Sequence, residues 1–266
     1  MSDTAEPAES PPHPAYGRLR AVTDTASVLL ADNPGLLTLE GTNTWVLRGP
    51  GSDELVIVDP GPDDEHIERV AALGRVALVL ISHKHGDHTD GIDKLVELTG
   101  APVRSAGSGF CRALGKELID GEVIDAAGLK ITVMATPGHT ADSLSFVLDD
   151  AVLTADTVLG RGTTVIDNED GSLADYLESL RRLRGLGRRR VLPGHGPDLA
   201  DVEAVASGYL LHRHERLEQV RAALSDLGND ATARQIVEHV YVDVDEKLWD
   251  AAEWSVQAQL NYLHPY

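Results

Sequence analysis

The chain has a single cysteine, Cys111, among its 266 residues. No internal disulfide can form, and the composition suits a reducing, cytoplasmic setting. No His or Asp stands close to Cys111 in sequence, so a packed thiol is expected rather than a nucleophile. No stretch approaches the ~18 consecutive apolar residues of a membrane-crossing helix, and no membrane partner is expected. Basic residues are scarce: 23 Lys and Arg stand against 43 Asp and Glu, a formal charge of −20. Such a field disfavours duplex DNA and other nonspecific nucleic-acid contact unless basic side chains gather locally. Arginines do crowd residues 181–190. They open a short strand whose far end carries His195, and ~3.3 Å per residue puts Arg190 roughly 16 Å from that histidine. A solvated helix end on the opposite rim is the expectation. Residues 1–15 are acidic and proline-rich and lack the basic and apolar regions of a signal peptide. They belong to a tail, residues 1–17, expected to be disordered. Neither a Walker-type phosphate loop nor a Ser-His-Asp triad is legible.

What the sequence does have is a dense cluster of ligand-type side chains. Residues 81–91 run Ile-Ser-His-Lys-His-Gly-Asp-His-Thr-Asp-Gly, placing His83, His85, Asp87 and His88 within six positions. Upstream, residues 76–81 form an apolar run short enough for a buried strand. Downstream, Ile92, Leu95, Val96 and Leu98 share one helix face, with Asp90 or Thr89 as the expected cap. The cluster therefore sits in a loop at the carboxyl end of a central strand, where open α/β sheets place their chemistry. His83 and His85 can turn to one point while Asp87 and His88 reach a second. Imidazole nitrogens with carboxylate oxygens suit zinc, and also manganese or iron.

His-x-His-x-Asp-His after an apolar strand resembles the signature of the metallo-β-lactamase superfamily. The resemblance implies an αββα sandwich of the α/β class over residues 18–200, two Zn2+ ions (Mn2+ or Fe being the alternatives), and three later ligands. Candidates for these stand at strand ends: His139 in Thr136-Pro-Gly-His-Thr140, Asp156 in Thr154-Ala-Asp-Thr-Val158, and His195 in Pro193-Gly-His-Gly196. The first ion would take His83, His85 and His139; the second would take Asp87, His88 and His195; Asp156 would bridge them. Asp59, which could otherwise only cap a turn, is implied to lie beneath the metal loop and orient it. Residues 201–266 change to helix without strand, a small all-α appendage. Its segment Thr232-Ala-Arg-Gln-Ile-Val-Glu-His-Val-Tyr241 resembles the winged-helix-like tail of the β-lactamase-like protein 2 subfamily, as does Gly41-Thr-Asn-Thr44. His212 and His214, two apart on a helix, face different sides and make a poor metal pair.

Two ions sharing a water lower its pKa toward neutrality, giving a hydroxide nucleophile, with Asp87 as the residue expected to orient it or pass its proton. Hydrolysis is the reaction class. The subfamily resemblance implies single-stranded RNA as leading substrate, an endoribonuclease. The alternative is a small acyl substrate, cleaved by a thioesterase, lactonase or β-lactamase, for which Arg213, Arg216 and Arg221 are candidate carboxylate contacts. A non-haem iron oxidoreductase of the same fold ranks lower, since a one-iron site would leave His88 and His195 unused. A nucleic-acid-binding module built on the tail ranks last. A homo-oligomer is left open.

Overall fold

The computed structural model describes residues 15–62, 65–242 and 245–264. Most of the tail expected at residues 1–17 lies outside them; at its end, Tyr16 bridges Leu30 and donates from its hydroxyl to the Glu40 carbonyl at 2.6 Å.

Two sheets form the body. The first has six strands in sequential order, β1 (Arg20–Ala21), β2 (Ala26–Leu30), β3 (Asn43–Leu47), β4 (Glu54–Val58), β5 (Arg75–Leu80) and β6 (Val103–Arg104). Its first four strands pair antiparallel, β2 and β3 through the long loop of residues 31–42, and β4, β5 and β6 run parallel. The parallel steps need crossovers, which α1 (Glu65–Ala71) and α3 (Ile92–Thr99) supply. The second sheet carries β7 (Val123–Ala126), β8 (Leu129–Ala135), β9 (Leu144–Val147), β10 (Ala151–Ala155) and β11 (Arg190–Pro193), in the order β11-β10-β9-β8-β7.

Strand periodicity explains how both faces of each sheet are buried. Trp45, Leu47, Val56, Val58 and Leu80 point inward to meet Ile131, Val133, Phe146 and Leu153 of the second sheet. The alternate residues Val46, Leu55, Ile57 and Val79 point outward, onto Ile67 and Val70 of α1 and Ile92 and Leu95 of α3. On the far side, Val152 and Val191 are covered by α4 (Leu173–Arg184) and the first half of α5 (Val202–Leu227). Four layers, αββα, result. Ser172 caps α4, accepting from the Asp175 amide, as its position before the apolar stripe predicts.

The second half of α5 leaves this body and builds a smaller core. Val220 and Leu224 pack with Ile236 and Val237 of α6 (Ala233–Val240) and Val256 of α7 (Trp249–Leu263). Thr232 starts α6 with a reciprocal capping box to Gln235. Helix α5 serves both cores, and α7 packs back against α4 and α5. Among the described residues, no helix is long and apolar enough to cross a membrane.

Candidate metal centre

The chemistry gathers where strand ends meet. The residues after β5 turn directly into a four-residue helix, α2 (Gly86–Thr89), closed by Asp90. Residue Gly91, not the expected Asp90 or Thr89, therefore starts α3, and no side chain caps it. The Thr89 hydroxyl is spent inside the loop, donating to the His85 carbonyl at 3.0 Å. This short helix brings His88 back against His83, their ring centroids 4.3 Å apart.

Side chains from four loops converge. His83, His85, His139 and Asp156 form one group whose ligand-type atoms all lie within 4.8 Å of one another; Asp87, His88 and His195 form a second. His83 Nε2 and His139 Nε2 each stand 3.1 Å from His85 Nδ1. Neighbouring ligands of a tetrahedral zinc ion with bonds of ~2.1 Å are separated by about 3.4 Å, so this spacing suits nitrogens facing a shared cation. In the second group His195 Nε2 lies 3.3 Å from His88 Nε2 and 3.1 Å from Asp87 Oδ2. Asp156 stands between the groups: its Oδ2 is 3.3 Å from His195 and 3.8 Å from His139, and its Oδ1 is 3.6 Å from His88. That Oδ1 is buried with no hydrogen-bond donor. A buried carboxylate oxygen with no donor, ringed by imidazoles, is what a ligand position requires. Two divalent ions fit the donors.

The protonation pattern of the metal-free site follows from the same crowding, and Asp156, Asp87 and Asp59 overcome burial to hold His88 well above its ordinary value. Burial, reinforced by neighbouring imidazoles, holds His83 well below its ordinary value, and burial likewise lowers His139. Burial also works against the charged form of His195, but Asp156 and Asp87 outweigh it and hold the imidazole up to about 9. Desolvation would raise the carboxyls of Asp87 and Asp156, yet the facing imidazoles of His88 and His195 pull both well below the usual range. Both carboxylates are fully ionised near neutral pH.

Each ring is aimed by a partner behind it. Asp59, at the end of β4, accepts from the Ser82 amide (2.8 Å) through Oδ1, and from the Ser82 hydroxyl (2.6 Å) and His88 Nδ1 (2.9 Å) through Oδ2. The Ser82 oxygen in turn faces His83 Nδ1 at 2.9 Å. Asp59 is buried and held at φ +53°, a left-handed conformation that Asp tolerates better than most residues. Three further supports carry no local sequence signal of that role, although Gly41-Thr-Asn-Thr44 stands out by resemblance. Asp167 Oδ2 lies 2.9 Å from His85 Nε2, fixing that ring with Nδ1 inward. The Val165 carbonyl does the same for His139 Nδ1 at 2.7 Å. The Gly41 carbonyl faces His195 Nδ1 at 3.1 Å, while Asn43 clamps the same loop by donating to the Pro193 and Gly196 carbonyls. The Gly41–Thr44 stretch thus acts as a brace on the His195 loop. Gly194 is needed there sterically, since a Cβ would run into Asp156 Oδ1.

Above the two groups lies a cleft of about 1060 Å³. Its walls are largely apolar: Leu36, Leu37 and Leu39 on one side, Leu159 below, and Ala252 and Trp254 of α7 on the other. The appendage therefore forms one wall of the site. Arg213 and Arg216 of α5 also line the cleft; Arg221 does not and pairs with Glu218. His212 faces the cleft, whereas His214 is exposed and bonded to its own helix. The arginine run borders a separate hollow with Asp24 and Asp150, sharing no residue with the cleft. Cys111 is half-buried, its thiol 3.6 Å from the Ser105 hydroxyl.

Comparison with known proteins agrees with this geometry. The sequence model of the Metallo-beta-lactamase superfamily matches residues 37–195, and that of the Beta-lactamase associated winged helix domain matches residues 232–264. A Beta-lactamase-like protein 2 homolog of Caenorhabditis elegans is 31% identical over 242 residues, covering 85% of this chain and 79% of the relative. An atrochrysone carboxyl ACP thioesterase of Aspergillus fumigatus is 32% identical over 235 residues, covering 80% and 72%. Among solved structures, a beta-lactamase domain protein from Burkholderia ambifaria superposes with a TM-score of 0.79 at 23% identity, covering 96% and 90%, a likeness that bears on the fold alone. Fold and converging side chains together imply divalent-metal binding. The chain belongs to the metallo-beta-lactamase superfamily, as a hydrolase with a C-terminal beta-lactamase-associated winged helix domain.

Proposed function

We propose that the protein is a dinuclear zinc hydrolase of acyl thioesters, with His83, His85 and His139 holding one ion, Asp87, His88 and His195 the other, and Asp156 bridging. The observation that carries the substrate class is the cleft: two ligand groups at the floor of a largely apolar trough. Apolar walls favour an acyl chain by burial, at roughly 25 cal/mol for each Å² removed from water. When bound, the ions supply a hydroxide nucleophile near neutral pH and polarise the acyl carbonyl. Asp87, held far below the usual carboxylate range, is a weak base, so its role is to ligate and to orient through Oδ2.

The leaving group supports the same class. Asp87 and Asp156 are held ionised, as is Asp167, where the Glu169 amide, His85 and Lys84 outweigh burial. His212 is kept below its ordinary value by burial and by Arg213 and Arg216. With His88 and His195 deprotonated to hold an ion, none of these groups donates a proton readily near pH 7. A thiolate departs without one, whereas an alkoxide or amine leaving group calls for a general acid. The relatedness to an ACP thioesterase points the same way.

Single-stranded RNA, which the resemblance puts first, draws less support from the cleft. Of its four lysine and arginine side chains, Lys84 is tied to Asp167, Glu169 and Asp170, and Arg161 to Glu40; Arg213 and Arg216 alone make a single cationic spot rather than a track along a phosphate backbone. The test is turnover of hexanoyl and longer acyl thioesters by zinc-loaded protein, beside a labelled single-stranded RNA and the Asp87→Ala variant. Thioester cleavage that needs zinc and Asp87 is expected; RNA cleavage with the same dependence, and no thioester cleavage, would overturn the assignment.

A further inference from the structure

Arg213 and Arg216 line the cleft and meet no carboxylate within ion-pair distance among the described residues. Arg213 is only 3% exposed. One edge of its guanidinium donates to the Thr164 carbonyl, and the group stacks on the Tyr176 ring with 5.0 Å to the centroid. Its Nε is buried with no acceptor. One residue earlier, His212 accepts from Arg216 Nε at its own Nε2 (3.4 Å), which makes its Nδ1 the protonated nitrogen. That Nδ1 is also buried with no acceptor. Arg216 is stacked over the Tyr241 ring at 4.6 Å, and its Nη1 donates to Gln219. No acceptor meets its Nη2 among the described residues.

These groups are all donors, two of the side chains are cationic, and two of the donor atoms are buried and unmatched. Burial of a charged donor without an acceptor is costly, and such groups call for an anionic partner. The nearby Asp156 carboxylate does not serve, because it faces His139, His88 and His195. We infer that Arg213, Arg216 and His212 form an anion-binding subsite of the cleft, taking a carboxylate or phosphate that the substrate carries away from its scissile bond. The inference rests on the acyl-thioester assignment for what the anion is attached to. The subsite itself can be tested without it.

The anion has two possible sources, and matched substrates separate them. Adipoyl against hexanoyl thioesters of N-acetylcysteamine place a carboxylate on the acyl chain. Hexanoyl-phosphopantetheine against hexanoyl-pantetheine places a phosphate on the leaving thiol. The readout is the ratio of kcat/KM for the charged over the neutral member, in wild type, Arg216→Gln, Arg216→Lys and His212→Phe. A charge-assisted hydrogen bond predicts a wild-type preference of about tenfold or more in one pair. Arg216→Gln should abolish it, His212→Phe should reduce it, and Arg216→Lys should keep part of it. A ratio unchanged by Arg216→Gln in both pairs overturns the subsite. If no thioester is cleaved, the assignment of function falls instead. The subsite is then decided by equilibrium dialysis of adipate and of inorganic phosphate against zinc-loaded protein. Binding weakened about tenfold in Arg216→Gln upholds it, and equal binding by folded wild type and variant overturns it.

Discussion

Asp59→Asn changes one heavy atom and should loosen the hold on one metal ion. The Asp59 carboxylate accepts three hydrogen bonds, from the Ser82 amide, the Ser82 hydroxyl and His88 Nδ1. It holds φ at +53°, and Asn tolerates that conformation as well as Asp does, so the backbone is undisturbed. An asparagine can be placed in two ways. With its amide nitrogen at the Oδ2 position, it donates to His88 Nδ1. The ring must then carry its proton on Nε2, the atom facing His195 and Asp87. A protonated Nε2 cannot ligate. With its amide nitrogen at the Oδ1 position, it opposes the buried Ser82 amide donor to donor, costing about 1–3 kcal/mol. The first placement loses the wild-type tautomer, and the second keeps it only at that cost. Loss of such a supporting carboxylate lowers metal affinity ~10–100-fold, or about 1.4–2.7 kcal/mol. Competition for zinc against a chromophoric chelator should resolve two binding steps in wild type. In Asp59→Asn the step assigned to Asp87, His88 and His195 should weaken by that factor. Two steps unchanged within about twofold would refute the role given to Asp59.

The other supports make parallel predictions. Asp167→Ala should weaken the ion held by His83, His85 and His139 by ~10–100-fold, and Asp167→Asn, which can still accept from His85 Nε2, should recover much of it; the same chelator competition measures both. Metal uptake should release protons below pH 9, because the His195 imidazole, held up to about 9, must lose its proton to ligate. Asp156, Asp87 and Asp59 hold His88 well above its ordinary value too, so apparent affinity should rise with pH by up to about a hundredfold per unit while both rings are charged, and by about tenfold per unit while one is. In the metal-free protein the same shift has the opposite effect. His195 pairing with Asp156 and Asp87 contributes stability below its unfolded value, and that stability is lost as pH rises through 9, which thermal melts at pH 7 and 10 will show. Gly194→Ala should disrupt the centre with little change in secondary structure, because the new methyl meets Asp156 Oδ1 and His88; circular dichroism beside metal analysis separates the two effects.

The sandwich and the seven converging side chains were legible because both lie in short-range pattern. Apolar runs of strand length, bounded by glycine and proline turns, place residues 54–58, 76–80 and 129–135 in sheets. The candidate ligands follow those runs, so knowing where strands end locates them. The start of α3 was misplaced by a residue or two because the loop folds its own turn, with Asp90 closing α2. The supports were illegible for a different reason. Asn43 reaches Pro193 across 150 residues and Asp167 reaches His85 across 82, and nothing in the local sequence of either announces the partner. The cleft is likewise a tertiary product: leucines 36, 37 and 39 come near α7 only because α5 carries the appendage back over the strand ends. The RNA expectation came from resemblance, and it weakened once the pairing of Lys84 and Arg161 could be seen.

The most direct test of the account is a zinc titration of metal-free protein, with hydrolysis of an acyl thioester followed at each addition. The rate should climb to a plateau at two equivalents per chain. Full activity at one equivalent, or none at any zinc content with activity returning only on iron, would contradict a dinuclear zinc hydrolase.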